Sequence, residues 1–203
     1  MIEKNYQRYK DITSKKYNKH SLIGLLATRY ADKIIFPHIA LWKNMNVLEV
    51  GLGSGKYTKV FMENNCNVLG IDMNPHLFSD SGVRVIKAKA DKFNKHLEDE
   101  SFDLACSFWL SEYLNPKELE RYFNECWKVL KPGGQLIFTV VEPIWLGYLY
   151  CMGARFRGIR KYCYDRDWIF RILSKNYNIS ASINLYGTLG LPFAILYEAK
   201  KNE

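Results

Sequence analysis

Between residues 46 and 141 the chain alternates short, continuously apolar runs with segments that favour helix. The runs are rich in β-branched residues and too continuously apolar for a sheet with one solvated face, so they predict strands covered on both faces. These runs are NVLEVG, NVLGID, VRVIKA, FDLACSF and QLIFTVV. Repeated strand, helix and strand segments predict parallel pairing through right-handed crossovers, and therefore a doubly wound α/β sheet.

The clearest helix prediction is the segment NPKELERYFNECWKVLKPGG. Pro116 suits an early helical position, apolar side chains recur every three to four residues, and Pro132-Gly133-Gly134 predicts the end of the helix. Three shorter segments predict the remaining helical crossovers: KYTKVFMENN, NPHLFSD and DKFNKHL.

The pattern changes toward the C-terminus. After DRDWIFRILSKN, which favours helix, the runs YNISASINLYG and LPFAILYEAKK predict two strands joined by a turn at residues 187–192. A connection this short permits an antiparallel hairpin and excludes a helical crossover. We therefore predict a mainly parallel seven-stranded sheet with an antiparallel edge strand.

Length and composition indicate one domain. The chain has 203 residues, of which 48% are apolar, so a single sizeable core is expected. No run of eighteen apolar residues and no apolar signal core near the N-terminus appear, and we expect a cytoplasmic protein. The five cysteines include no CxxC pair, so neither a structural disulfide nor a zinc site is predicted.

The net charge of +8 is unevenly distributed. One basic cluster lies in the first twenty residues and a second follows the fifth predicted strand. Such clusters attract anionic partners such as nucleic acid, acidic lipid headgroups or phosphorylated metabolites, although a solvated basic surface is an equal alternative. The basic residues are Lys4, Arg8, Lys10, Lys15, Lys16 and Lys19, then Arg155, Arg157, Arg160, Lys161 and Arg166.

The stretch VLEVGLGSGKYT follows the first strand with a glycine-rich turn. A Walker A loop would need glycine where Val50 stands and a hydroxyl residue where Tyr57 stands. A dinucleotide fingerprint would need glycine in place of Lys56. Both kinds of phosphate loop are disfavoured, and the spacing that remains is ExGxGxG.

Four ordered motifs between residues 46 and 139 together resemble the class I S-adenosylmethionine-dependent methyltransferases. The first is ExGxGxG, from Glu49 to Gly55, and the second is Asp72, which ends the second strand about twenty residues later. The third is ADKFNKHLEDESFDLA, and the fourth is WKVLKPGGQLIFT. The resemblance implies a Rossmann-like fold, S-adenosyl-L-methionine as the cofactor and methyl transfer as the activity.

The resemblance also implies which residues hold the cofactor. Glycines let the main chain pass close to the methionine moiety and the sulfonium, and the carboxylate of Asp72 would accept both ribose hydroxyls. Asp91 would contact the adenine amino group and the Lys92 backbone amide the ring; alternatively, Asp72 and Asp91 cap the helices that follow them. The full predicted set is Glu49, Gly51, Gly53, Gly55, Asp72, Met73, Asp91, Lys92 and Ser107, with no metal.

By this interpretation residues 1–203 form a single methyltransferase domain. We expect an N-terminal helical cap at 1–44, the cofactor-binding core at 45–142, a substrate-lid insertion at 143–170, and a C-terminal helix and hairpin at 171–203.

Methyl transfer from a sulfonium is an in-line displacement, so positioning supplies much of the acceleration. A general base is needed only if the acceptor is a hydroxyl or a protonated amine. The weak candidates for that base are His20, Glu112, Tyr113 and Glu142.

The acceptor is predicted to be a small molecule or lipid, in a pocket that includes Trp109, Tyr113 and Trp145. The lid mixes aromatic and basic residues, and an apolar N-terminal helix follows a basic lead. Together these two segments are typical of a lid at a membrane interface. The alternative is that the N-terminal helix packs its apolar face against the sheet. The loop SFWL lacks the motif of DNA base amino-methyltransferases, which disfavours DNA. An RNA methyltransferase and a non-catalytic partner subunit stay open.

Overall fold

The computed structural model describes residues 22–78, 82–156, 158–187 and 190–202, and within these ranges seven strands form one sheet. Their order across the sheet is β3-β2-β1-β4-β5-β7-β6. Four strands run through the first half of the chain, namely β1 (Asn46–Val50), β2 (Asn67–Asp72), β3 (Arg84–Lys87) and β4 (Phe102–Ser107). The others are β5 (Leu130–Val141), β6 (Tyr177–Tyr186) and β7 (Pro192–Lys201).

The first five strands pair in parallel. Strand β1 lies between β2 and β4, with Val47 opposite both Val68 and Leu104. The strand order reverses on the two sides of β1, and in open α/β sheets such a reversal opens a crevice at the carboxyl ends of the strands. The predicted doubly wound sheet is confirmed. The reversal places the expected ligand crevice at the carboxyl ends of β1 and β4.

The predicted C-terminal hairpin is confirmed as well. Strand β7 runs antiparallel to both β5 and β6, with Ile195 opposite Val140 on one side and Asn184 on the other. The antiparallel pairing therefore lies at one end of the sheet, where β6 is the outermost strand.

Helices cover both faces of the sheet because residues of each strand point alternately to the two sides. On one face, Leu48 and Leu136 belong to a core cluster with helices α3 and α5. On the other face, Val47 and Ile137 pack with helices α1 and α2. The helices are α1 (Leu22–Ile39), α2 (Thr58–Glu63), α3 (Pro116–Val129), α4 (Trp145–Phe156) and α5 (Arg166–Leu173).

Helix α3 begins with a reciprocal capping box. The Asn115 side chain accepts a hydrogen bond from the Glu118 backbone amide at 3.1 Å, and the Glu118 carboxylate accepts one from the Asn115 amide at 2.8 Å. The helix ends at Val129, before the predicted stop at Pro132-Gly133-Gly134, because β5 already begins at Leu130.

Two of the predicted helical crossovers are single 3₁₀ turns, at Pro75–Leu77 and Asn94–His96. The segments NPHLFSD and DKFNKHL contain few apolar side chains and therefore cannot bury a full helical stripe.

Helix α1 packs against the sheet through its C-terminal half. Ile35 and Ile39 are fully buried, whereas Tyr30 is exposed. For this half of the helix, the structure agrees with the prediction that the N-terminal helix packs on the sheet. The basic cluster from Lys4 to Lys19, together with His20, lies outside the described residues. Every helix in the described ranges is too short or too polar to span a lipid bilayer.

The N-cap of α5 offers a test of local stability far from the crevice. The Asp165 carboxylate accepts a 2.8 Å hydrogen bond from the Trp168 amide. Asp165→Ala should lower the free energy of unfolding by about 1 kcal/mol in urea titrations, because a helix N-terminal amide loses its partner. Asp167→Ala, in the same turn, should cause a smaller loss, and equal losses would contradict the capping role.

Candidate active site

The glycine-rich turn after β1 adopts a backbone that side chains would obstruct. Gly51, Gly53 and Gly55 all have positive φ, at 77°, 56° and 73°. A Cβ atom on Gly55 would lie 2.0 Å from Cε2 of the Phe78 ring. The Gly51 amide donates a 2.6 Å hydrogen bond to the Ile71 carbonyl and so ties the turn to β2. The sequence therefore places glycine at positions where the backbone conformation or the neighbouring atoms disfavour a side chain.

Asp72 ends β2 directly beside this turn. Its Oδ2 accepts a 3.0 Å hydrogen bond from the Gly53 amide, and its Oδ1 accepts one of 2.7 Å from the Asn74 amide. Burial raises the pKa of Asp72, while the two amide hydrogen bonds act in the opposite direction. The carboxylate thus joins the turn after β1 to the loop after β2. The N-cap of the 3₁₀ turn that follows is Asn74, so Asp72 does not cap it.

A cavity of about 310 Å³ opens at the carboxyl ends of β1, β2 and β4. Its wall includes both backbone and side-chain donors and acceptors, and most of its surface is apolar. The predicted residues that line it are Gly51, Gly53, Asp72, Met73, Asp91, Trp109 and Tyr113. The structure therefore brings together residues spread over more than sixty positions of the chain.

Asp91 lies on the cavity wall and is held from behind by a cation. Its Oδ2 accepts hydrogen bonds from Nε and Nη2 of Arg121, at 2.9 and 2.6 Å. Phe93 stands at the N-cap of the 3₁₀ turn that follows, so Asp91 does not cap it. This ion pair fixes the orientation of the carboxylate at the cavity.

Other predicted cofactor residues lie away from the wall. Glu49 is buried behind the turn, where it accepts a 2.6 Å hydrogen bond from the Thr58 hydroxyl. Lys92 is exposed, and its backbone amide donates to the Lys89 carbonyl at 3.0 Å. Gly55 supports the turn, and Ser107 is buried in β4.

The candidate bases are separated by the fold. Glu112 is buried, and its Oε1 accepts hydrogen bonds from the Tyr150 hydroxyl at 3.0 Å and from Lys161 Nζ at 3.2 Å. Glu142 pairs with Arg166, whose Nε lies 2.8 Å from Oε1. Among the candidates in the described ranges, these two carboxylates do not line the cavity and Tyr113 does.

The expected substrate residues Trp109 and Trp145 have different environments. Trp145 is 56% exposed on α4 and stands apart from the cavity. Trp109 lies on the wall with a φ of 59°, a conformation that is strained in a non-glycine residue. Its amide donates to the Thr139 hydroxyl at 2.7 Å, and this bond fixes the strained backbone.

A hydrogen-bond chain that the sequence did not predict reaches Trp109 from helix α1. The indole Nε1 donates to the Tyr57 hydroxyl at 2.7 Å, and that hydroxyl donates to the Asp32 carboxylate at 2.8 Å. Lys56 pairs with the second oxygen of Asp32. Because these residues are far apart in sequence and carry no shared motif, only the fold identifies the chain of contacts.

The predicted lid contributes to the cavity through its loop. Ile159, Arg160 and Tyr162 line the cavity wall. The loop is held in place by a 2.8 Å hydrogen bond from the Tyr162 amide to the Glu112 carbonyl. Throughout the described ranges, no group of three His, Cys, Asp or Glu side chains is arranged to hold a metal ion.

The arrangement suits a ligand with a diol and no phosphate. A carboxylate beside bare main chain can accept hydrogen bonds from two hydroxyls, whereas a phosphate at the same place would be repelled.

Comparison with known proteins gives a consistent result. Residues 48–138 match a family model described as a methyltransferase domain. The chain is 28% identical over 137 residues to a ubiquinone biosynthesis O-methyltransferase of Coxiella burnetii, covering 61% of this chain and 55% of that protein. It is 32% identical over 99 residues to phosphoethanolamine N-methyltransferase 1 of Triticum aestivum, covering 44% of this chain and 20% of that protein. The chain therefore spans about half or less of the length of these relatives.

Solved structures share the fold. A 1,6-didemethyltoxoflavin-N1-methyltransferase of Burkholderia thailandensis, with bound S-adenosylhomocysteine, superposes with a TM-score of 0.71 at 16% identity. The match covers 100% of this chain and 91% of that one. The magnesium protoporphyrin IX methyltransferase of Synechocystis gives a TM-score of 0.69 at 14% identity, covering 98% and 95%.

The buried Glu49 predicts a specific dependence of stability on pH. Burial is the main cause that raises the pKa of Glu49 to about 8, the Thr58 hydrogen bond lowers it, and the charge of Asp72 adds to the rise. The unfolded carboxyl ionises near 4.5, so between these values only the unfolded state loses the proton. The free energy of unfolding should therefore fall with rising pH, by up to about 1.4 kcal/mol per pH unit.

Glu49→Gln removes this titration and keeps an acceptor for Thr58. Its stability relative to the parent protein should increase steadily as the pH of urea titrations rises through that interval. The matched control is Glu98→Gln, which changes an exposed glutamate and should leave the pH dependence as it was. Parallel curves for Glu49→Gln and the parent would contradict the buried protonated carboxyl.

Proposed function

Because this chain is a member of the class I S-adenosylmethionine-dependent methyltransferases, we propose that its cavity binds S-adenosylmethionine and positions a small-molecule acceptor for methyl transfer. The observation that carries the proposal is the Asp72 carboxylate, which meets the Gly53 amide at 3.0 Å on the wall of an open cavity.

The residues present fit this cofactor. Gly51 and Gly53 line the cavity with main chain alone, where the methionine and sulfonium portions would pass. A side chain at Gly51 would in addition crowd Leu110, because a Cβ there would lie 2.9 Å from it. Asp72 would accept the ribose hydroxyls, and Asp91, fixed by Arg121, would receive the adenine amino group. When bound, the sulfonium supplies an activated methyl group and a neutral thioether leaving group.

The protein's part in the reaction is to position the acceptor and exclude water. Trp109, Tyr113 and Tyr162 place three aromatic rings on the cavity wall, with Ile159 beside them. Rings of this kind bind flat, apolar acceptors through their faces. Of the candidate bases in the described ranges, Tyr113 is the one that lines the cavity, and its phenolate form would take a proton from an acceptor hydroxyl.

Several relatives support an acceptor of this class. One acts in ubiquinone biosynthesis, and a structural neighbour was crystallised with 1,6-didemethyltoxoflavin. We propose that residues 143–170 act as the lid over the acceptor, because their loop lines the cavity through Ile159, Arg160 and Tyr162.

We further propose that helix α4 docks on an anionic lipid surface. Five large apolar side chains follow one stripe of this helix at spacings of three and four residues, and each is about half exposed or more. Arg155 lies beside the stripe and is exposed, as is Arg160 after the helix. The apolar residues are Trp145, Tyr148, Leu149, Met152 and Phe156, the last 90% exposed.

Charge and composition indicate which partner would cover the apolar stripe of α4: a second copy of the chain, an anionic lipid surface or RNA. A second copy would bring together two chains with a net charge of +8 each, whereas anionic headgroups complement the arginines. An apolar stripe of this size also fits a bilayer interface better than RNA, which binds to aromatic residues set among many cations. Docking would bring the loop at Ile159 close to lipid-like acceptors.

Loss of the Asp72 carboxylate tests the cofactor site. Asp72→Ala should weaken S-adenosylhomocysteine binding by at least about 100-fold in calorimetric titration, because two hydrogen bonds to a charged group are lost. Asp72→Asn, which keeps the size and removes the charge, should show an intermediate loss. Asp99→Ala, at an exposed position, serves as the control. Unchanged affinity in Asp72→Ala, with the fold intact by circular dichroism, would overturn the assignment.

Vesicle sedimentation tests the docking of α4. Tyr148→Ser combined with Phe156→Ser should weaken binding to phosphatidylglycerol vesicles by at least about tenfold, because two large apolar side chains no longer enter the interface. The matched control combines Phe170→Ser with Tyr186→Ser, which removes an exposed phenylalanine and tyrosine elsewhere. Equal binding by the two double variants, or no binding by the parent protein, would refute the lipid surface.

A further inference from the structure

The loop after helix α4 brings two cysteines into contact. Sγ of Cys151 and Sγ of Cys163 lie 3.0 Å apart, although the residues are separated by twelve positions. The contact forms because the chain reverses at Gly158, whose φ is 75° and whose amide donates to the Arg155 carbonyl at 2.8 Å. The cysteine spacing in the sequence gives no sign of this pair.

Both cysteines are held in place by their neighbours. Next to Cys163, the Tyr162 amide donates to the Glu112 carbonyl at 2.8 Å, and the Tyr164 amide donates to the Val141 carbonyl at 2.9 Å. Next to Cys151, the Tyr150 hydroxyl donates to Oε1 of Glu112 at 3.0 Å. The thiols are therefore oriented toward each other by contacts with the same buried residue.

The two thiols differ in chemical character. A hydrogen bond joins the two sulfurs, and either thiol can be its donor. This bond is the main cause that lowers the pKa of Cys163 and raises the pKa of Cys151. Burial and the Glu112 carboxylate act in the opposite direction on the pKa of Cys163, and the Lys161 ammonium lowers it together with the hydrogen bond. Thiolates are the reactive form in disulfide exchange, so Cys163 is the attacking sulfur.

Accessibility also sets this pair apart from the other cysteines. Cys66, Cys106 and Cys126 are buried in the core, whereas Cys151 and Cys163 are partly exposed. A small solute can therefore reach the pair without unfolding of the sheet.

We propose that Cys151 and Cys163 form an oxidisable dithiol that closes to a disulfide and fastens the loop at residues 158–164 to helix α4. The oxidant is a low-molecular-weight disulfide. The Cys163 thiolate attacks one of its sulfurs and releases one thiolate; Cys151 then loses its proton, attacks Cys163 and releases the second. Two protein thiols are oxidised and one small disulfide is reduced to two thiols.

The disulfide would act on the cavity through the loop it fastens. Ile159, Arg160 and Tyr162, which line the wall, lie inside the ring that the bond would close. In the reduced protein the hydrogen bond from the Tyr162 amide to the Glu112 carbonyl holds this loop, and in the oxidised protein a covalent bond to α4 would hold it as well. This consequence, which rests on the proposed function, is slower exchange of bound S-adenosylhomocysteine after oxidation.

Peptide mapping tests the dithiol without any cofactor. The full chain is treated with oxidised glutathione, labelled with N-ethylmaleimide under denaturing conditions and digested with trypsin without reduction. We expect a mass decrease of about 2 Da before labelling, two fewer maleimide labels than on the reduced protein, and peptides joined through Cys151 and Cys163. Cys66→Ser should still form the bond, whereas Cys151→Ser should keep glutathione on Cys163. Full labelling of the parent protein, or a lasting glutathione adduct on its Cys163, would overturn the proposal.

Release of radiolabelled S-adenosylhomocysteine tests the effect on the cavity. Oxidation should slow dissociation by about tenfold, because opening of the loop limits release, and dithiothreitol should restore the original rate. The double variant Cys151→Ser with Cys163→Ser, which can form neither the disulfide nor a glutathione adduct at this pair, should be insensitive to both treatments. Equal rates for the oxidised and reduced parent protein would refute the fastening role. If neither form binds S-adenosylhomocysteine, the proposed function fails, while the peptide map still decides whether the dithiol exists.

Discussion

The contact between the Asp72 carboxylate and the Gly53 amide is the interaction on which the cavity depends. It joins the end of β2 to the turn after β1, and the crevice opens there because β4 lies on the other side of β1, where the strand order reverses. The glycines permit the positive φ values that aim the amide at the carboxylate. This hydrogen bond thus holds together two neighbouring parts of the cavity wall, the turn after β1 and the end of β2.

Much of this could be predicted from the sequence, because the determinants are local. The strands follow from continuous apolar runs, and the turn follows from glycines at fixed spacing. The features that could not be predicted depend on contacts between distant residues. The burial of Glu112 depends on Tyr150 and Lys161, which lie about forty to fifty residues further along the chain, and the placement of Glu49 behind the turn depends on Thr58. The weak crossovers were predicted as helices because periodicity cannot measure how much apolar surface a short segment buries.

Residues 143–170 combine three properties in one short stretch of chain. Helix α4 exposes an apolar stripe, the loop after it lines the cavity, and Lys161 forms a buried ion pair with Glu112. Moving the loop away from Glu112 would leave an uncompensated buried charge, so this pair favours the observed position of the loop. The same position brings the two cysteines together.

The hydrogen-bond chain from Asp32 through Tyr57 to Trp109 has a consequence for how this protein can diversify. It makes helix α1 a structural support of the cavity wall at Trp109. Substitutions around Asp32 on that helix can therefore change the shape of the cavity from a distance. Related chains with identical cavity linings can differ in what they bind for that reason.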